Sequence, residues 1–128
     1  MVKIFVCVSC RQPGGEENDA PVRPGETLAS ALENRVAAQA VGDRISVCRV
    51  ECLAVCEQPC TIALSGEDKW GYVIGNIDPA AHADETFDAA LKLVDAPNGI
   101  VPLRERPPSF RKGVVARIPP LAFEGKRP

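Results

Sequence analysis

Six cysteines are the residues of this sequence best suited to metal binding or redox chemistry. Cys7 and Cys10 form a Cys-x2-Cys pair, and a gap of 37 residues separates them from the next cysteine. The remaining members recur at every fourth position, as Cys48, Cys52, Cys56 and Cys60. Tetrahedral zinc sites and iron–sulfur clusters both require about four thiolates. The pattern therefore predicts a metal centre, but spacing alone does not distinguish zinc from iron–sulfur.

The cellular compartment decides between metal binding and disulfide formation. Residues 1–6 contain only a short apolar stretch, and Cys7 follows directly, which indicates a first strand and not a secretory signal peptide. No run approaches the roughly 18 apolar residues that a membrane-spanning helix needs. We therefore expect a cytoplasmic protein without a membrane partner. Stable disulfides are rare in that reducing compartment, so metal binding is favoured over a disulfide framework.

Cys7 and Cys10 could instead form a dithiol redox pair. In that chemistry a helix begins at the motif, and its N-terminus lowers the pKa of the thiol. Here residues 11–25 are rich in proline and glycine, so the predicted loop offers no such assistance. His82, the only histidine, lies near a predicted helix start and is expected at the surface and not as a ligand. No phosphate loop, acid–base pair or Ser–His arrangement stands out, so we expect no catalytic activity.

The periodicity of apolar residues predicts the strands and helices that carry the cysteines. Residues 2–8 alternate, which predicts a strand, and Leu28, Leu32 and Val36 predict a helix from about Thr27 to Gly42. A second strand covers 45–50, and two further strands at 61–64 and 70–74 form a hairpin. Asp78-Pro79 signals a second helix, whose apolar stripe contains Ala83, Phe87, Leu91 and Val94.

The order β-α-β-β-β-α predicts an α/β fold, a small mixed sheet of the thioredoxin-like kind, over residues 1–101. A right-handed crossover makes the first two strands parallel, and the hairpin adds antiparallel neighbours. The segment between the second strand and the hairpin is expected to be a loop with one helical turn around 53–55. Ligands on such a loop can converge on one metal centre.

Residues 102–128 are predicted to form an extended, basic, proline-rich tail. They contain six prolines, which remove backbone donors. Residues 1–103 carry 8 Lys/Arg and 15 Asp/Glu, a net charge of −7, whereas residues 104–128 carry 7 and 2, a net charge of +5. The acidic body argues against nucleic-acid binding. Basic and apolar residues alternate in the tail, which favours its docking on the body or on an acidic partner over free solvation.

Similarity to known protein families favours one of these metal centres over the other. The segment Cys52-Leu53-Ala54-Val55-Cys56-Glu57-Gln58-Pro59 resembles part of the cluster motif of thioredoxin-like [2Fe–2S] ferredoxins and of the related small subunit of respiratory NADH dehydrogenases. Those proteins carry Cys-Leu-Gly-x-Cys before a proline and a strand, and their first two ligands follow the first strand, as Cys7 and Cys10 do. Nearly the whole chain, including residues 6–11, 69–76 and 111–120, resembles more closely a bacterial family of short cysteine-rich proteins of unknown function that are predicted to bind metal.

The resemblance implies a [2Fe–2S] cluster with Cys7, Cys10, Cys52 and Cys56 as ligands, and zinc is the alternative. The sequence departs from the ferredoxins in its short x2 spacing, in Ala54 where glycine is usual, and in the extra Cys60. Cys60 is therefore the first substitute ligand. Cys48, on a predicted strand, is expected to be a small buried hydrophobic residue.

The function implied is a ferredoxin-like one-electron carrier that works between partner proteins. The acidic body predicts a reductase with a basic docking face as one partner, and the oligomeric state stays open between monomer and homodimer. The alternatives are a non-redox metal protein, either structural zinc or metal delivery, and a Cys-x-x-Cys thiol–disulfide protein.

Overall fold

A computed structural model describes residues 1–9, 23–55, 60–121, 123 and 125. Its elements, in chain order, are β1 (Val2–Cys7), α1 (Pro24–Ala38), β2 (Ile45–Val50), β3 (Ile62–Gly66), β4 (Gly71–Ile74), α2 (Ala83–Asp95), a 3-10 turn (Leu103–Glu105), α3 (Ser109–Lys112) and β5 (Val114–Ile118). The predicted α/β order is present, and β5 extends it. No helix in these ranges is long and apolar enough to cross a membrane.

The strands form one mixed sheet in the order β2-β1-β3-β4-β5. β1 pairs with β2 in parallel, and every other neighbouring pair is antiparallel. A helical crossover thus joins the only parallel pair of this sheet, as expected. The carboxyl ends of β1, β2 and β4 and the amino ends of β3 and β5 consequently lie along one edge, which we call the cysteine edge.

The core covers one face of the sheet. Alternate residues of a strand point to opposite faces, so Val2, Ile4 and Val6 share a face and are fully buried. The same cluster contains side chains from β3, β4 and both long helices, namely Ile62, Leu64, Tyr72, Ile74, Leu28, Leu32, Phe87 and Leu93. The opposite face of β1 presents Lys3, which is exposed, half-buried Phe5 and buried Cys7.

Helix α1 begins earlier and ends earlier than the periodicity predicts. Pro24 occupies its first turn, where a missing N–H costs nothing. The helix ends at Ala38 because Ala40 adopts a left-handed φ of 54°. The N–H of Val41 then donates to the Val36 carbonyl at 3.2 Å, and that of Ala40 to the Ala37 carbonyl at 3.2 Å. These two bonds form a Schellman motif with alanine at the position that glycine usually holds.

Helix α2 begins later than the Asp78-Pro79 signal suggests. The Asp78 carboxylate accepts the N–H of Ala80 at 2.8 Å and of Ala81 at 3.1 Å, and its carbonyl accepts the N–H of His82 at 2.8 Å. Asp78 therefore caps a turn that precedes the helix, and regular α-helix starts only at Ala83.

The C-terminal segment is more ordered than an extended tail. Residues 114–118 have the expected extended backbone, but they are paired with β4 as an edge strand. The 3-10 turn and α3 were not predicted, and prolines stand at their N-terminal boundaries, where proline needs no hydrogen-bond partner. The division into a domain at 1–101 and a tail at 102–128 stays a prediction, although β5 belongs to the sheet.

Candidate metal centre

Cys7 and Cys52 lie at the cysteine edge on neighbouring strands. Cys7 is the last residue of β1 and is aligned with Val50, the last residue of β2. Cys52 follows Val50 by two residues in the connecting loop. Parallel neighbours are only about 4.8 Å apart. The crossover topology thus brings together two cysteines that are 45 positions apart in the sequence.

Cys7 is buried, but it does not belong to the contiguous hydrophobic cluster that contains Val6 and Ile62. Its side chain is 2% exposed and lies on the face opposite to Val6. Its Sγ is 3.6 Å from the Ser9 hydroxyl, and the thiol donates to the Glu51 carbonyl at 3.8 Å. The loop after β2 therefore covers the end of β1. The Ser9 hydroxyl and the Glu51 carbonyl distinguish this sulfur from one that is packed only against apolar side chains.

Cys52 is exposed, and its sulfur accepts a hydrogen bond from its own loop. The N–H of Ala54 donates to Cys52 Sγ at 3.1 Å. Ala54 adopts a left-handed φ of 60°, so the helical turn expected around 53–55 is wrong. The backbone reverses here and turns an amide toward the sulfur. Amide donors of this kind stabilise thiolate sulfur and shift the reduction potential of iron–sulfur clusters.

Thr61 anchors the far side of the same loop. Its side chain is fully buried, and its hydroxyl donates to the Val55 carbonyl at 3.3 Å. Its own carbonyl accepts the N–H of Cys7 at 3.0 Å. Thr61 thus connects the loop after β2, whose described residues 51–55 we call the cysteine loop, to the strand that ends in Cys7. Sequence reasoning missed Thr61, because no spacing rule marks a threonine beside a cysteine.

The N-terminus of α1 packs directly against Cys7. A β-carbon on Gly25 would lie 1.9 Å from the Cys7 carbonyl oxygen and 2.9 Å from the Val8 Cα. Only glycine permits this approach. The partial positive charge of a helix N-terminus therefore lies beside the cysteine site, although the loop composition argued against such assistance. The signal in the sequence was the Pro-Gly pair at a helix start, which indicates a turn equally well.

Cys60 lies in the core. It is fully buried within the cluster that holds Ile62 and Ile77, to which Cys7 does not belong. Cys60 and Ile77 exchange backbone hydrogen bonds of 3.3 and 3.0 Å, which prolongs the β3–β4 ladder. Alternation along the strand places the Cys60 side chain on the face of Ile62, away from that of Cys7. These contacts favour Cys60 as a core residue over a substitute ligand.

The contacts of Cys48 and His82 are with residues other than Cys7 and Cys52. Cys48 is half-buried in the middle of β2, aligned with Phe5, so it is less buried than expected. The Nδ1 atom of His82 accepts the N–H of Asp78 at 2.9 Å, and its Nε2 atom is 4.0 Å from a Glu85 oxygen. His82 thus stabilises the turn before α2. It is half-buried and not fully on the surface.

The other two predicted ligands, Cys10 and Cys56, lie outside the described residues. Within the described ranges no group of three or more metal-ligating side chains occurs. The residues that are described fit a thiolate-bound group, because buried Cys7 and amide-bonded Cys52 lie at one edge. The full ligand set stays a prediction.

Comparison with known proteins extends the sequence resemblance to the fold. Residues 4–120 match the model of a family described as "Protein of unknown function (DUF1636)". No individually curated protein matches the chain.

The chain is similar in structure to a thioredoxin-like [2Fe–2S] ferredoxin from Aquifex aeolicus. A structure of that protein superposes with a TM-score of 0.59 over 95% of this chain and 97% of the other, at 18% identity. Its wild-type crystal structure gives 0.56 over 90% and 96%, at 13% identity. A cysteine-to-serine variant gives 0.59 over 91% and 99%, at 16% identity. The predicted thioredoxin-like fold is confirmed.

Proposed function

We propose that this chain, which belongs to the DUF1636 family, is a one-electron carrier that holds a [2Fe–2S] cluster at the cysteine edge. One observation carries the proposal: the amide of Ala54 donates to Cys52 Sγ at 3.1 Å, on the loop that covers buried Cys7. The fold in which this occurs is shared with proteins that are named as [2Fe–2S] ferredoxins.

The four proposed ligands are Cys7, Cys10, Cys52 and Cys56. When bound, the cluster would supply one-electron redox chemistry without a reaction of the chain's own side chains. Cys7 would contribute a thiolate that is shielded from water, and Cys52 one at the surface. The Ala54 amide and the N-terminus of α1 would both stabilise negative charge on sulfur. Cys60 would pack in the core and would not replace a ligand.

The partners would be redox proteins, in a reducing compartment such as the cytoplasm, where thiolates stay available for iron. The exposure of Cys52 supports electron transfer to another protein, because it leaves part of the site near the surface. A monomer and a homodimer are both compatible with this role. Catalysis by the chain itself is not part of the proposal.

A non-redox zinc or metal-delivery protein is the second candidate. It is favoured by the short Cys7-x2-Cys10 spacing, which is typical of zinc knuckles. A thiol–disulfide role gains support from the position of Gly25 against Cys7, since a helix N-terminus lowers the pKa of a nearby thiol.

Anaerobic purification with metal analysis separates these functions. The proposal expects visible absorption bands that bleach with dithionite, and iron and acid-labile sulfide in equal amounts. A colourless protein with one zinc ion would identify the second candidate. A metal-free protein with a reducible Cys7–Cys10 disulfide would identify the third.

Single alanine variants then test the ligands. Cys52→Ala and Cys56→Ala should lose the bands, whereas Cys60→Ala should keep them and lose about 1–2 kcal/mol of folding free energy through a small core cavity. Loss of the bands in a folded Cys60→Ala variant would instead make Cys60 a ligand.

A further inference from the structure

Ser9 and Arg23 are joined by a hydrogen bond beside the cysteine site. Arg23 directly precedes α1, and its Nη1 atom donates to the Ser9 carbonyl at 3.3 Å. Ser9 lies two residues after Cys7 and directly before Cys10 in the sequence. Its carbonyl therefore belongs to the peptide bond that joins Ser9 to Cys10. This contact connects the Cys7-x2-Cys10 pair to the start of the helix.

The side chain of Ser9 contacts the sulfur of Cys7. The Ser9 hydroxyl oxygen is 3.6 Å from Cys7 Sγ, and the Cys7 thiol donates to the Glu51 carbonyl at 3.8 Å. A thiolate has no proton and can only accept hydrogen bonds, whereas a hydroxyl both donates and accepts. Once Cys7 is a metal-bound thiolate, the Ser9 hydroxyl is therefore the donor of this pair. Cys7 is only 2% exposed, and a hydrogen bond to a charged acceptor is stronger than one to a neutral acceptor.

Arg23 also places a positive charge near the same sulfur. The contacts from Arg23 to Ser9 and from Ser9 to Cys7 put the guanidinium within about 12 Å of Cys7 Sγ. Arg23 forms no ion pair with a carboxylate in the described part of the chain. Two carboxylates lie close in the sequence to these contacts, namely half-buried Glu26 in the first turn of α1 and exposed Glu51 after β2. Removal of the Arg23 charge therefore leaves the surroundings of Cys7 more negative.

We propose that Arg23 and Ser9 form a clamp that holds the Cys7 ligand and raises the reduction potential of the metal centre, an inference that rests on the proposed electron-carrier function. Ser9 acts through its hydroxyl on the Cys7 sulfur. Arg23 is a positioning residue that acts through the Ser9 carbonyl, and its charge acts on the site directly. A cluster that takes up one electron becomes more negative, so a donor and a cation beside its sulfur stabilise the reduced state over the oxidised state.

A second serine–cysteine contact of the same kind lies elsewhere in the sheet. The Ser46 hydroxyl is 3.9 Å from Cys48 Sγ, and the two residues are again separated by two positions. Cys48 is not a proposed ligand and lies in the middle of β2. Ser46→Ala and Ser9→Ala thus remove the same group from a serine beside a cysteine, but only Ser9→Ala affects a proposed ligand.

Redox titration of the metal-loaded protein tests the role of Ser9. Each chain takes up one electron from dithionite, and the visible bands report the ratio of reduced to oxidised protein. At a fixed potential, Ser9→Ala should lower this ratio about threefold, which corresponds to about 30 mV for a one-electron couple. Ser46→Ala should leave the ratio unchanged. A wild-type ratio for Ser9→Ala, or equal shifts in both variants, would overturn the role of the Ser9 hydroxyl.

Two substitutions of Arg23 separate its charge from its packing. Arg23→Gln removes the charge and keeps a side-chain donor, whereas Arg23→Lys keeps the charge. At low ionic strength Arg23→Gln should lower the ratio of reduced to oxidised protein about threefold, and Arg23→Lys should stay near wild type. Arg44→Gln is the matched control, because Arg44 is exposed just before β2, at the opposite end of that strand and about 20 Å from the level of Cys7. Equal shifts in Arg23→Gln and Arg23→Lys, or in Arg23→Gln and Arg44→Gln, would overturn the role of the Arg23 charge.

Loss of iron to the chelator bathophenanthroline tests the clamp without electron transfer. Arg23→Ala removes the bond to the Ser9 carbonyl and should lose iron about threefold faster than wild type, whereas Arg44→Ala should match wild type. Iron loss from Arg23→Ala at the wild-type rate would overturn the positioning role. A wild-type sample without visible bands refutes the electron-carrier function, whereas a sample with bands in which Ser9→Ala and Arg23→Gln both keep the wild-type potential refutes the clamp alone.

Discussion

Gly25 packs against Cys7 so closely that a β-carbon at position 25 would fall 1.9 Å from the Cys7 carbonyl oxygen. The contact joins the first turn of α1 to the end of β1. It fixes the distance between the helix N-terminus and the cysteine site. The atoms in contact are backbone, so neither side can move aside by a change of rotamer.

We expect Gly25→Ala to destabilise the protein by at least about 2–3 kcal/mol, because α1 or the end of β1 must shift. The visible bands should weaken in the same variant. Gly42→Ala is the matched control, since its β-carbon would meet only Val36 Cγ1 at 3.9 Å. Urea unfolding measures both, and equal stability of the two variants would contradict the contact.

A second prediction concerns the left-handed alanine of the cysteine loop. Ala54→Gly should relieve a cost of about 1 kcal/mol at φ 60°, partly offset by the greater freedom of glycine in the unfolded chain. Because the turn directs the Ala54 amide toward Cys52 Sγ, the metal centre should also be lost more slowly.

Ala40→Gly supplies the comparison for that variant. It has nearly the same φ, 54°, but lies at the end of α1 away from the cysteines. The Tm of thermal unfolding should rise slightly for both variants, whereas the lifetime of the visible bands in air should lengthen only for Ala54→Gly. A longer lifetime of the bands in both variants would mean that global stability, and not the cysteine loop, controls how long the metal centre is retained.

Thr61→Val should loosen the cysteine loop without changing the shape of the core. The variant removes the hydroxyl that donates to the Val55 carbonyl, at a cost of about 1 kcal/mol. The iron chelator bathophenanthroline should then extract iron faster. Thr86→Val is the control, because the buried Thr86 hydroxyl has no hydrogen-bond partner in the described part and its loss should be neutral or stabilising. Unchanged extraction from Thr61→Val would remove Thr61 from the site.

The Asp78 carboxyl makes the stability of the folded protein depend on pH. The amides of Ala81 and Ala80 lower the pKa of the Asp78 carboxyl in the folded state. A folded pKa below the unfolded value stabilises the protein above the unfolded pKa of about 4, and this contribution is lost as the pH falls through the folded pKa.

Asp78→Asn should therefore lower the Tm at pH 7, and the difference from wild type should shrink below pH 4. Asp88→Asn, on the exposed side of α2, removes a carboxylate without a hydrogen bond in the described ranges and serves as the control. Differential scanning calorimetry across this window measures the effect. A Tm difference independent of pH would contradict the role of the Asp78 charge.

Much of the fold could be predicted from the sequence, because the spacing at which apolar residues recur identifies β1, α1 and the β3–β4 hairpin directly. β5 could not, since Val114 to Ile118 is edge strand only by virtue of its partner β4, and proline-rich flanks hide it. Asp78-Pro79 predicts a helix start, but an Asx turn and a helix N-cap share the same residues, and the structure has the turn.

The candidate metal centre, like the fold, could be predicted only in part from the sequence. Cysteine spacing and the Cys-Leu-x-x-Cys segment predict Cys7 and Cys52 as ligands, and the structure places both at the cysteine edge. The separation of Cys60 from Cys7 depends on strand register, which only pairing shows. Gly25 and Thr61 act through backbone contacts to distant segments, and no local pattern encodes such contacts.

Electron paramagnetic resonance of the anaerobic, dithionite-reduced protein distinguishes a [2Fe–2S] cluster from zinc. A [2Fe–2S] centre takes up one electron, so we expect an EPR-silent protein as isolated and a signal on reduction that integrates to about one unpaired electron per chain. Cys52→Ala and Cys56→Ala should abolish the signal. A protein that contains zinc, or one that stays EPR-silent after reduction while fully folded, would rule out a [2Fe–2S] cluster at this site.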